Sequence, residues 1–387
     1  ANLENDEILD QYLAMARADD LDDLVEAHER VGGVPLFNTV AASRDGRAWY
    51  ADTSATPNLS PEALERYRAS LVSDPAVRLA ADNGAVLLDG SEPVFEWVDA
   101  TGARDPGLIP PGRMPSIERD DYVFNANDSF WLPHAEATIE GDHSPLQGDQ
   151  RTARSPRTRE NATLLADTSE DGPAGEDGDF TLDELTGAAL ANRGYTSRAL
   201  LDAVVDRCDG APQVFLPALP GGAGGAGDLP AAGVYVGASC AVLAGWDGRY
   251  EPDRAGPPLW REMVHQLGPA ALTTGGPAGP LWGRPFDPAD PVGTPAGLAP
   301  RPPAGRDRVL EALARAVQIL DTSGIAVDAT LGELQFAQRG EERIPLHGGD
   351  SADGTTNVVG HGDRVTILDP QVAALERQRR PVAAGSP

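Results

Sequence analysis

Asn125 and Asn127 stand two residues apart, directly after the strand-like run Tyr122-Val123-Phe124. In a strand, side chains two apart share a face, so this spacing predicts both carboxamides on one side of a strand end. An amide there can donate into a cleft and meet the negative charge that builds on a carbonyl oxygen under attack, which is the task of an oxyanion site. The same residues also suit an Asn-Asp turn over a buried Trp131, because Asn and Asp side chains bond their own backbone in turns. Downstream follow Ser144-Pro145-Leu146-Gln147-Gly148, then Arg151, Arg154, Arg157 and Arg159. Arginine presents a planar fork of donors, suited to fixing carbonyl and carboxamide oxygens.

Other chemistries find little support. The six histidines (His28, His134, His143, His265, His347 and His361) show no i, i+4 pair and no HExxH, so no metal centre is expected. Ser43, Ser129 and Ser144 lack the Gly-x-Ser-x-Gly elbow. Gly221-Gly222-Ala223-Gly224-Gly225 lacks the lysine and preceding strand of a phosphate loop and reads as a plain loop. No cofactor is called for.

The elements that must position these residues follow from periodicity and capping. Glu7–Arg17 and Leu21–Val31 read as helices, the second with Asp19 and Asp20 at its start. Pro35–Ser43 and Arg47–Asp52 read as a hairpin around Arg44-Asp45-Gly46. Pro61–Leu71 is a helix capped by Ser60 with proline in its first turn. Ala85–Leu88 and Val94–Val98 read as short strands. Thr181–Asn192 opens on a capping box, Thr181 with Glu184, and Ser197–Cys208 is a second helix. Pro258–Gln266 carries Trp260. Asp307–Leu320 buries Val309, Leu310, Leu313 and Val317. Asp167–Gly178 and Pro217–Gly233 read as loops, and Gly268–Gly305 as mostly irregular.

The chain has 387 residues, 41% of them hydrophobic but only 5% aromatic, so it can bury a core built of small aliphatic side chains. Its formal charge is −29, from 60 acidic and 31 basic residues. Every basic residue is arginine. Such a field repels nucleic acid and anionic membranes, and no run of 18 apolar residues could span a bilayer. The acidic, lysine-free composition fits either salt adaptation or a GC-rich gene. The two cysteines, Cys208 and Cys240, fit either a disulfide or two buried thiols. The first residue is Ala1, with no basic or apolar leader after it, and the chain reads as a mature or cut segment.

Four stretches, in order, resemble one family. They are Val34–Ser60 (VPLFNTVAASRDGRAWYADTSATPNLS), Tyr122–Arg159 (YVFNANDSFWLPHAEATIEGDHSPLQGDQRTARSPRTR), Leu281–Leu298 (LWGRPFDPADPVGTPAGL) and Leu331–Val359 with GELQFAQRGEERIPLHGGDS and GTTNVV. They are similar to the β subunit of the penicillin acylase family, and within it to the aculeacin and acyl-homoserine-lactone acylases. The resemblance implies a four-layer αββα fold of the N-terminal-nucleophile hydrolases, with stacked, mostly antiparallel sheets and a helical insertion. It divides the chain into a core portion, 1–179, a helical and Pro/Gly-rich excursion, 180–320, a return to the core, 321–359, and a divergent tail, 360–387.

The family hydrolyses N-acyl amides through the N-terminal serine of its β subunit, whose own amine acts as base. By resemblance Asn127 is the oxyanion donor. Arg157 is the arginine that organises nucleophile and donor, with Arg159 the alternative register. Leu36 and Phe37 line the acyl pocket, and Cys208 pairs with Cys240 in an exported protein. The nucleophile itself is expected outside this chain, as are the partners it requires, the α subunit and the N-terminal part of the β subunit. Substrates implied are acyl-homoserine lactones, lipopeptides or β-lactam amides. The competing expectation is a noncatalytic, truncated or degenerate acylase-like protein acting at most as a binding module.

Overall fold

Local signals set most element ends in the structure, a computed structural model that describes residues 6–34, 37–82, 84–175, 177–208, 210, 213–219, 229–273, 280–302, 306–339 and 341–359. The chain is a mixed α/β protein of helices and small antiparallel sheets, and it divides into two compact units, 1–152 and 153–387.

In the first unit, α1 (Ile8–Met15) precedes α2 (Leu21–Val31). The Asp20 carboxylate caps α2 by accepting from the Asp23 N–H, and Gly32 ends it in the left-handed conformation at φ +60°. β1 (Thr39–Ala42) and β2 (Ala48–Ala51) form the expected hairpin, closed by Ser43 N–H donating to the Arg47 carbonyl at 2.9 Å. β3 (Ser116–Arg119) pairs with the far side of β2, giving an antiparallel order β1-β2-β3 in which Tyr50 faces Val40 on one side and Ile117 on the other. As the central strand, β2 is buried throughout, whereas β1 alternates. Leu21, Leu24 and Val25 of α2 pack on Trp49 and Ala51. α3 (Pro61–Ser73) starts where the Ser60 hydroxyl accepts from Ala63 N–H, and α4 (Pro75–Asp82) follows.

Three expected strands do not form. Residues 85–88 are irregular, and 94–98 begins as a single 3-10 turn, Pro93–Phe95. Val86, Leu87, Trp97 and Val98 stay exposed, so neither segment has a sheet against which to bury a face. The Tyr122–Phe124 run is extended, with Phe124 N–H donating to the Pro133 carbonyl at 2.8 Å, but it turns away at Asn125 instead of continuing as a strand.

In the second unit, α5 (Pro156–Ala166) begins at Ser155, whose hydroxyl accepts from Thr158 N–H. α6 (Leu182–Ala189) shows the reciprocal capping box between Thr181 and Glu184. α7 (Tyr195–Cys208) leads to the β4 (Gln213–Leu216) and β5 (Ala232–Tyr235) ribbon, then α8 (Gly237–Ala244), α9 (Gly256–Leu267) and α10 (Pro269–Thr273). β6 (Trp282–Arg284) pairs with β7 (Ala296–Leu298). α11 (Arg308–Thr322), capped by Asp307, precedes α12 (Leu331–Leu334) and the β8 (Phe336–Arg339), β9 (Glu342–Pro345) hairpin.

α9 and α11 form the axis of this unit's core, Leu259, Trp260 and Met263 meeting Val309, Leu313 and Ile319. Val317 lies at its margin, partly buried. Cys208, ending α7, is joined to Cys240 in α8 by a disulfide with the Cα atoms 5.9 Å apart, within the usual span. The Arg261 guanidinium and the Asp353 carboxylate, both fully buried, pair at 3.1 Å, and Gln335 accepts from Arg261 at 3.0 Å. No helix among the described residues is long and apolar enough to cross a membrane. Much of the Pro217–Gly233 loop and the whole 360–387 tail lie outside the described residues.

Candidate active site

The polar end of the first unit's sheet gathers the residues with chemical potential. Tyr50 is fully buried in β2, and the side chain of Asn38, the residue before β1, bonds its hydroxyl. The Asn125 Nδ2 donates to the same Tyr50 oxygen at 3.4 Å and to the Asp128 carbonyl at 3.1 Å. The other end of that carboxamide, Oδ1, accepts from the Asn127 backbone N–H at 2.8 Å. This side chain-to-backbone bond is an Asx turn, and it leads into Asn127 at φ +54°. That left-handed conformation is one that asparagine tolerates better than most side chains. Asn127 is exposed while Asn125 is half-buried.

The two amides therefore do not share one strand face. The turn separates them, Asn125 inward to the sheet and Asn127 outward at the crest. A local side-chain bond outcompetes strand extension here because Asn-x-Asn-Asp offers its backbone such bonds at once.

Burial also sets the electrostatics. It pushes the Tyr50 phenol well above its ordinary range, reinforced by the Asp52 charge and opposed by bonds from Asn125 and Asn38. Tyr50 is therefore a neutral hydroxyl at all working pH values. Asp52, at the end of β2, is likewise raised by burial, against bonds from the Ser54 backbone and hydroxyl. On the other side of the sheet His28 is buried against Trp49, its ring 5.0 Å away and edge-on, with Thr53 Oγ1 2.8 Å from Nδ1.

The loop beyond the turn is tied at several points. Phe130, Trp131 and Leu132 are buried. Trp131 Nε1 donates to Glu140 at 3.0 Å, and Arg151 reaches the other oxygen of that carboxylate at 3.0 Å. The Ser129 hydroxyl donates to the Asp149 carbonyl at 2.5 Å. Gly148, at φ +136°, lets that approach happen, since a Cβ there would lie 2.9 Å from Ser129 Oγ. The Ser43 hydroxyl bonds Asp45 and the Ser144 hydroxyl accepts from Leu146 N–H at 3.3 Å, so these hydroxyls serve turns.

Phe37 is 60% exposed, with its carbonyl accepting from Ser54 Oγ at 3.3 Å, and Leu36 lies outside the described residues. Arg157 belongs to the second unit, in the first turn of α5 and half-buried, its carbonyl accepting from Asn161 Nδ2 at 2.8 Å. Arg159 is buried in the same helix. It donates through Nε and a terminal nitrogen to the Val292 carbonyl at 3.0 and 2.9 Å and stacks 4.4 Å over Tyr195. Burial lowers its pKa to about 10. Asn127 and Arg157 are thus placed each within its own unit. Among the described residues no group of His, Cys, Asp and Glu side chains could hold a metal ion.

Sequence reasoning passed over Tyr50 and Asn38. Tyr50 reads as one residue of a hairpin strand, and its bond to Asn125 spans 75 positions. The signal available was its place beside Asp52, two residues along one face of a strand end, where core burial alone does not call for a hydroxyl and a carboxylate together.

The penicillin amidase family model matches residues 1–379. The chain is 30% identical over 362 residues to the acyl-homoserine lactone acylase PvdQ of Pseudomonas syringae pv. syringae (strain B728a), covering 93% of this chain and 41% of that protein. It is 31% identical over 373 residues to the acyl-homoserine lactone acylase PvdQ of Pseudomonas putida, covering 95% and 42% respectively. It is 31% identical over 362 residues to aculeacin-A acylase of Actinoplanes utahensis, covering 92% and 41%. The chain therefore spans about two fifths of the length of these relatives.

Proposed function

The chain belongs to the penicillin amidase family, and from that premise we propose that it is a portion of an amidohydrolase that cleaves N-acyl amide bonds. The nucleophile in this reading is an N-terminal serine outside these 387 residues. What supports placing it there is that the relatives are more than twice as long as the matched region. Among the internal serines, Ser43 and Ser144 hold their hydroxyls in turns and Ser129 gives its hydroxyl to the Asp149 carbonyl. The whole protein would adopt the four-layer αββα fold, with these residues contributing part of its β subunit and the remainder, including the α subunit, completing the site.

In the reaction the serine attacks the acyl carbonyl, its amine taking the hydroxyl proton. The resulting oxyanion meets the Asn127 carboxamide. The protonated α-amine gives that proton to the leaving nitrogen as the tetrahedral adduct expels the amine, leaving an acyl-serine that water then hydrolyses. By resemblance Arg157 organises the nucleophile, and Leu36 with Phe37 contacts the acyl chain. Two of the relatives are named for acyl-homoserine lactones and a third for aculeacin A. We rank long-chain acyl amides first, ahead of β-lactam amides. The Cys208–Cys240 disulfide supports an oxidising, extracytoplasmic location.

The observation that carries this reading is the Asx turn that presents Asn127, exposed, at the polar end of the sheet. The test is hydrolysis by the intact polypeptide that contains this chain, assayed on N-acyl-homoserine lactones of graded acyl length, a lipopeptide and a β-lactam amide. Release of free amine, fastest with long acyl chains, is expected. No amine release from any of the three classes, by a protein that has undergone chain cleavage, would refute it in favour of a noncatalytic acylase-like binder.

A further inference from the structure

Asn125 has a side chain whose two ends do different things. Oδ1 accepts from the Asn127 backbone N–H at 2.8 Å, and Nδ2 donates to the Asp128 carbonyl at 3.1 Å and to Tyr50 Oη at 3.4 Å. Tyr50 lies fully buried in the central strand, paired across to Val40 and Ile117, so it is among the most firmly held groups of this unit. Asn127, by contrast, is exposed and left-handed at φ +54°. An exposed residue in a sparsely populated backbone region keeps that conformation only where surrounding bonds impose it. The Asn125 carboxamide supplies such a restraint and connects it to the sheet.

We propose that Asn125 is a positioning residue: its carboxamide fixes the left-handed turn that aims the Asn127 side chain and ties that turn to the Tyr50 hydroxyl. The catalytic consequence rests on the reading of Asn127 as oxyanion donor; the conformational one does not. An oxyanion donor acts only when held at the place where charge develops. A loosened turn therefore lowers turnover while leaving ground-state binding of the acyl chain largely intact. Asn125 itself need not touch substrate.

The two ends make the inference separable by substitution. Asn125→Asp keeps an oxygen acceptor for the Asn127 N–H, whereas Asn125→Ala removes it. In the intact polypeptide, amide hydrogen exchange is read at Asn127, with the β2 amides as an internal control for folding, and kcat and KM are measured on an acyl-homoserine lactone. Asn125→Ala is expected to speed exchange at Asn127 at least tenfold with β2 unchanged. It should also lower kcat at least tenfold at nearly constant KM. Asn125→Asp, which keeps the acceptor but loses the Nδ2 donor to Asp128 and Tyr50, is expected to exchange at Asn127 more slowly than the alanine variant and to recover kcat only in part.

Unchanged exchange at Asn127 in Asn125→Ala would overturn the proposal, and so would an Asn125→Asp variant as fast-exchanging as the alanine variant. If Asn125→Ala fails to fold, Tyr50→Phe, which removes only the anchoring hydroxyl, must still speed exchange at Asn127, relative to wild type, by a larger factor than it speeds exchange at β2. An equal factor at both, or none at Asn127, would overturn the anchoring. The Asn127→Gly variant separates the two readings. If it leaves kcat unchanged while Asn125→Ala still releases the Asn127 amide, the oxyanion assignment falls and the positioning of the turn stands.

Discussion

His28 gives the first unit a predictable acid sensitivity. The imidazole is 1% exposed, lies edge-on to Trp49, and has Thr53 Oγ1 at 2.8 Å from Nδ1 and Thr39 Oγ1 at 3.4 Å from Nε2. Hydroxyls and an indole edge can satisfy a neutral ring but offer no counter-charge. Burial accordingly lowers its pKa from 6.5 to about 4. In the unfolded chain the ring regains its ordinary value. Because the folded pKa is depressed, the native state resists protonation. The stability this site contributes is fully present above about pH 6.5 and is lost as pH falls through about 4. That drop corresponds to roughly 3 kcal/mol, an order-of-magnitude figure.

The assay compares urea unfolding of wild type and His28→Gln across pH 7.5 to 3.5. Carboxylates titrate in both proteins, so their contribution cancels in the difference. The advantage of wild type over the variant is expected to shrink by roughly 3 kcal/mol across that range. A direct NMR titration of the ring should find it neutral at pH 5. A stability gap independent of pH, or a ring titrating near 6.5, would refute the argument that desolvation controls this site.

Further outcomes follow from the second unit and from the charge. Reducing the Cys208–Cys240 disulfide, or replacing both cysteines with serine, is expected to lower stability by about 3–4 kcal/mol on the chain-entropy account of loop closure, measured by urea midpoint with and without reductant. Asp353→Ala removes the buried carboxylate that Arg261 pairs with and should cost about 3–5 kcal/mol, whereas the double variant Arg261→Met, Asp353→Leu should recover much of that loss. If the formal charge of −29 reflects salt adaptation, the thermal midpoint should rise by several degrees between 0.1 M and about 2 M NaCl, as screening relieves self-repulsion. A midpoint unchanged by salt would leave base composition of the gene as the account of the missing lysines.

Elements whose cause is local were legible in the sequence. The Asp20 cap of α2, the Ser60 cap of α3, the Thr181/Glu184 box of α6 and the Arg44-Asp45-Gly46 hairpin all stand where residue types alone place them. The strands read at Ala85–Leu88 and Val94–Val98 failed because β propensity there has no sheet to join and the apolar side chains stay in water. The strand read at Tyr122–Phe124 failed for a different reason. Periodicity of two is shared by an extended strand and by an Asx turn in which residue i bonds residue i+2, and only the partner chosen by Asn125 decides between them. The family was legible because its four blocks keep their order. The support beneath Asn127 was not, because it comes from Tyr50, 75 positions before Asn125.

The most direct test of the account is Asn127→Gly in the intact polypeptide. Glycine accepts the φ of +54° without strain, so the backbone turn persists and only the carboxamide is lost. Turnover of an N-acyl-homoserine lactone is expected to fall by about 10²–10³ in kcat with KM nearly unchanged, the size typical of a lost oxyanion donor. A kcat within a few-fold of wild type would contradict the assignment of Asn127 and, with it, the reading of this turn as part of an amide-hydrolysing site.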